Sequence, residues 1–147
     1  MNILITGAVT VQAHQLQRYL NHTGNITFAD SVEMPFMLKN VRFVQIPQGH
    51  SQAFAHSLLT VCLDLKIERV YPLRKNELCA LSEARQLFDE YGITILVPEM
   101  PFIDSLLNKT LKGEIVIKDG TVTDFMPDRG IFMVDPSTNE YRLFTAD

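Results

Sequence analysis

Tryptophan is absent from this chain, cysteine occurs only twice, and no run of about 18 apolar residues is present. The last absence excludes a membrane-spanning helix, so no membrane partner is expected. No cluster of Lys and Arg stands out, and the formal net charge is −4 at pH 7. Affinity for a duplex comes largely from neutralised phosphates, so nucleic acid is not expected as a partner. Cys62 and Cys79 match neither a metal-ligand spacing nor a disulfide framework. They read as buried thiols of a reducing compartment, which implies a cytoplasmic protein. The opening MNILITGAVTVQAHQL has neither the cationic start nor the apolar stretch of a signal peptide. What is present is ordinary for a globular domain: 147 residues, 46% hydrophobic and 20% charged, enough to bury one core.

Up to about residue 100 the chain alternates compact apolar runs with helical periodicity. Strands are expected at Asn2–Thr6, Ile26–Ala29, Val41–Ile46, Arg69–Tyr71 and Ile93–Val97. Helices are expected over Val11–Leu20, Ser51–Leu65 and Glu77–Tyr91, with Gly92 as a stop. Ser31–Asn40 reads as an irregular or short helical excursion. Apolar strands alternating with helices predict α/β architecture: a five-stranded, doubly wound parallel sheet with the first strand central. Residues 101–147 read differently, as a small antiparallel β-hairpin appendage packed on the first unit. A short helix, Phe102–Leu111, is followed by Glu114–Lys118 and Thr121–Phe125, joined at Asp119-Gly120 by a type I′ turn. Gly130–Val134 and Glu140–Thr145 form a second hairpin.

In such a sheet ligands meet the C-terminal ends of the strands, which directs attention to three places. The first βα turn holds Thr6, Gly7 and Ala8. Only one of the three glycines of a dinucleotide fingerprint is present, because Val9 and Gln12 occupy the other positions. No NAD site is expected, although a helix N-terminus there offers N–H groups to an anion. Asp30 ends the second strand, either to hydrogen-bond a ribose hydroxyl or simply to cap the segment that follows. The loop Pro72-Leu73-Arg74-Lys75-Asn76-Glu77 ends the fourth strand. Arg74 and Lys75 suit a small anionic ligand, while Asn76 equally serves as a helix N-cap beside solvated charges. His14, His22, His50 and His56 include no i, i+4 pair, and neither Walker sequence nor nucleophile elbow is found. No catalytic residue, metal or cofactor is assigned.

The segments MNILITGAVTVQAHQLQRYL, ITFAD, RFVQIP, Ser51–Leu65 and RVYPLRKNELCALSEARQLFDEYGITILVP resemble the N-terminal pre-ATP-grasp domain of ATP-grasp ligases. The likeness is to those similar to the carbamoyl-phosphate synthase large chain, and it covers roughly residues 1–100. The family's Thr-Gly after the first strand, acidic end of the second, and Pro followed by Glu-Leu after the fourth correspond to Thr6-Gly7, Asp30, and Pro72 with Glu77-Leu78. Val9, Val11 and Gln12 depart from its small residues, and Lys75 stands where it carries an acidic side chain. Leu107–Thr110 resembles the entry to the catalytic ATP-grasp fold, but the residues after 110 read as hairpins and are too few to form it. The resemblance implies a Rossmann-like front end without the ligase: a module that binds a small ligand or a partner, beside a separate ATP-grasp protein. The alternatives are an enzyme holding a nucleotide or other anion at the strand ends, or a structural homodimer formed through the β tail.

Overall fold

The computed structural model describes residues 1–33, 41–107, 109–120 and 126–147. Five strands, β1 (Asn2–Ile5), β2 (Asn25–Asp30), β3 (Arg42–Gln45), β4 (Arg69–Tyr71) and β5 (Thr94–Ile95), pair in the order β3-β2-β1-β4-β5. Every pairing is parallel. The expected parallel sheet with β1 at its centre is present, in a Rossmann-like α/β arrangement. Among the described residues no helix is long and apolar enough to cross a membrane.

Successive strand side chains point to opposite faces, and the apolar runs exploit both. Leu4, Val70 and Ile95 share one core with α2 (Phe54–Asp64), α3 (Lys75–Glu83), α4 (Arg85–Glu90) and α5 (Met100–Leu107). Ile3, Ile5 and Phe28 face the other side, against Ala13 and Leu16 of α1 (Val11–Leu20). α1 starts where Thr10 Oγ1 accepts from the Ala13 N–H (3.3 Å) and stops at Asn21, left-handed at φ 43°.

The rest of the second face is closed by an antiparallel sheet of β6 (Glu114–Asp119), β7 (Arg129–Val134) and β8 (Tyr141–Leu143), in the order β6-β7-β8. Ile115, Ile131, Met133 and Phe144 enter the α1-side core, whereas Phe132 and Leu143 enter the other. β7 is thus buried on both faces.

The structure adds a pairing that the sequence did not suggest and corrects the expected helix bounds. β6 is registered against β7, with Asp119 opposite Arg129, and Gly120 N–H donates to Asp128 O (2.9 Å). Residues 121–125, expected as the return strand, lie outside the described residues, as do 34–40 of the β2–β3 link. The physical reason for the β6–β7 pairing is burial: Ile131-Phe132-Met133 offers apolar side chains to both faces. The helix expected over 77–91 is two helices meeting at Ala84 (φ −90°, ψ 2°). It also starts earlier, with Arg74 rather than Asn76 at the N-cap, because the carboxylates of Glu77 and Asp147 accept the first N–H groups. α2 starts at Phe54, after a turn in which Ser51 Oγ accepts from Ala53 N–H.

Candidate functional site

In this strand order the winding reverses beside β1, so the crevice belongs between the ends of β1 and its neighbours. Thr6, Asp30, Arg74 and Glu77 converge there. Thr6 is fully buried; its hydroxyl donates to Glu77 Oε1 (2.6 Å) and accepts from the Leu73 N–H (2.8 Å). That one side chain ties the end of β1 to the loop after β4.

Gly7 turns the chain at φ +68°, a left-handed conformation that costs any other L-residue about 1–2 kcal/mol. The N–H groups of the turn are taken up by the turn itself and by the end of β2. Ala8 N–H bonds Ala29 O (3.1 Å), Val9 N–H bonds Asp30 Oδ2 (3.2 Å), and Thr10 N–H returns to Gly7 O (2.9 Å).

Asp30 is fully buried at the end of β2. Its carboxylate accepts Ser31 N–H on Oδ1 (2.8 Å) and Val9 N–H on Oδ2. It also takes the Arg74 guanidinium at two points, Nε to Oδ1 (3.3 Å) and Nη2 to Oδ2 (2.8 Å). This fork is the geometry arginine provides and lysine lacks. The hydrogen bond to Asp30 raises the Arg74 pKa further above its ordinary value, against the opposing effect of burial.

Glu77, at the third position of α3, is 2% exposed. Burial pushes its carboxyl up to about 7, although the Thr6 hydroxyl and the Arg74 N–H both stabilise the ionised form. Both of its described hydrogen bonds fall on Oε1. Two buried carboxylates therefore meet at Arg74, Asp30 on its guanidinium and Glu77 on its backbone N–H.

Of the other residues named from the sequence, Gly7 and Ala8 line the turn and Pro72 is buried in the loop. Lys75 contributes its backbone N–H, which Asp147 Oδ1 accepts at 2.9 Å. Asp147 also brings Oδ2 within 3.9 Å of Arg74 Nη1. Its place in the site was not legible in the sequence, because a separation of 72 residues leaves no local signal.

Away from these residues, a concavity of about 580 Å³ runs between the loop before α2 and the α3–α4 pair. His50, His56, Cys79 and Glu83 line it, yet among the described residues no three His, Cys, Asp or Glu are grouped to hold a metal. Cys79 is exposed; Cys62 is buried, and its thiol is pushed up to about 12.

No family model matches the chain, and no curated protein does. Among solved structures it is similar to one titled "Mutated Uronate Dehydrogenase", with a TM-score of 0.49 and 12% identity. The match covers 87% of this chain and 47% of the other, so the chain spans about half the length of that structure.

Proposed function

We propose that the chain is a pre-ATP-grasp-like domain that binds a small acidic ligand or a partner, and that it acts beside a separate ATP-grasp ligase similar to the carbamoyl-phosphate synthase large chain. One observation carries the ligand-binding part. At the switch point, buried Asp30 holds the Arg74 guanidinium at two points, while buried Glu77, bonded to the Thr6 hydroxyl and the Arg74 backbone N–H, is pushed up to about 7. Burying two carboxylates costs more than an apolar core would, and a strongly perturbed titratable group such as Glu77 is found preferentially at functional sites. The residues concerned, Thr6, Asp30 and Glu77, are among those on which the family resemblance rests.

The test is thermal unfolding of the chain against nucleotides, inorganic phosphate and small carboxylic acids, with amide spectra for each hit. A ligand at 100 times its Kd contributes about 2.7 kcal/mol, which for a chain of this size raises Tm by roughly 5–10 °C. The expected hit is an acidic compound that moves the amides of Gly7, Ser31, Arg74 and Lys75. Shifts confined to β6–β8 would reject the crevice in favour of the β tail as the working surface. Co-elution with an ATP-grasp ligase tests the partner; separate elution at micromolar concentrations removes it.

A further inference from the structure

The segment 144–147 leaves the antiparallel sheet and crosses to the parallel one. Phe144 is buried and its N–H donates to Ile131 O (2.9 Å). Two residues on, Ala146 N–H donates to Leu73 O (2.7 Å), and the Ala146 Cβ lies 3.5 Å from where a Cβ on Gly7 would stand. The backbone thus lies against both the first turn and the loop after β4. Asp147 then sets its carboxylate against Lys75 N–H and the outer edge of Arg74.

The anchoring is uneven. Phe144 is held in the core, but the Asp147 side chain is 44% exposed, and its 3.9 Å approach to Arg74 is a screened, weak pairing. Electrostatics decide what can take its place. Asp30, Glu77 and Asp147 all act on Arg74. An anion entering with Asp147 still seated meets three acidic groups against Arg74 and Lys75. A carboxylate that displaces Asp147 leaves the local charge unchanged and inherits the same backbone donor, and a phosphate adds at most one further negative charge.

We propose that Phe144–Asp147 is a displaceable strap across the switch-point crevice, and that the ligand which displaces it presents a carboxylate or phosphate group to the Lys75 N–H and Arg74. This rests on the ligand-binding reading above. Asp147 acts as an internal competitor, so the apparent affinity of the crevice for such a ligand is lowered by the fraction of molecules with the strap closed.

The test titrates the whole chain with inorganic phosphate in one arm and acetate in the other, at ionic strength held constant with chloride, following backbone amides. Wild type is compared with Asp147→Ala, which removes the competitor, and Asp147→Asn, which keeps an acceptor but not the charge. Removal of the competitor is expected to tighten binding of the favoured probe roughly fivefold or more, with Arg74 and Lys75 moving and Asp147→Asn falling between. In wild type the Ala146 amide is expected to lose its hydrogen-bonded shift as the probe saturates. Equal affinities in wild type and Asp147→Ala, at these same amides, would overturn the strap while leaving the crevice reading intact. No movement at Arg74 or Lys75 in any variant would overturn both.

Discussion

Asp30 is fully buried, whereas Arg74 keeps 21% of its side chain exposed, so the two ends of this ion pair respond differently to loss of the partner. Arg74→Ala strands a buried carboxylate with only the Val9 and Ser31 N–H groups, and is expected to cost about 3 kcal/mol in urea unfolding. Arg74→Lys supplies charge but not the fork, and is expected to fall between that variant and wild type. A loss below 0.5 kcal/mol for Arg74→Ala would mean that water replaces the guanidinium. Glu77 gives a prediction in pH. Its folded pKa, about 7, lies above the ordinary carboxyl value, so its favourable contribution is complete below about pH 4.5 and is lost as pH rises through 7. The gap corresponds to roughly 3 kcal/mol. Glu77→Gln does not ionise, so it is expected to match wild type near pH 4 and to exceed it in stability at pH 8. Parallel stability–pH curves for the two proteins would place the titration elsewhere.

At the scale of elements, the site depends on how closely α3 is approached. A Cβ on Gly49 would lie 2.3 Å from Asn76 O and 2.6 Å from Glu77 N, both backbone atoms that cannot step aside cheaply. Gly49→Ala is therefore expected to push the start of α3 away, costing about 1–3 kcal/mol and shifting the amides of Asn76 and Glu77. An unchanged melt together with unchanged amide positions would contradict that packing. The same region marks the limit of what the amino-acid pattern reveals. The strands were legible because β1, β2 and β4 are short, nearly continuous apolar runs, and a strand buried on both faces has that composition. Thr6, Asp30 and Glu77 were legible because they stand at strand and helix ends. The Arg74–Asp30 fork and the Asp147 contact were not, because each joins positions set by tertiary packing over 44 and 72 residues. The Asp119-Gly120 pair sent a local hairpin signal whose return strand, 121–125, lies outside the described residues, while the β6–β7 ladder, between positions set apart in the sequence, sent no local signal. The long helix over 77–91 has unbroken periodicity, and nothing in its side chains announces the break at Ala84.

For the whole molecule, the decisive feature is that the two sheets share their cores. Phe132 of β7 is fully buried among residues that include Leu81, Phe88 and Ile103, with its ring edge-on to Tyr141 at 5.7 Å. Its neighbours Ile131 and Met133 belong to the opposite cluster with Ile3 and Phe28. Weakening β7 therefore weakens both faces of the parallel sheet, and with them the Ala146–Leu73 contact that holds the strap over the site. Phe132→Ala is expected to cost about 3–5 kcal/mol, as truncation of a buried aromatic does. If the molecule unfolds as one unit, native-state hydrogen exchange should register that loss equally at the slowest amides of β1, β4 and β7. Should the β7 amides alone lose protection while Leu4 and Val70 keep theirs, the antiparallel sheet would be a separately unfolding cap. The strap, which runs from that cap to the loop after β4, would then open whenever the cap does, without any ligand to displace it.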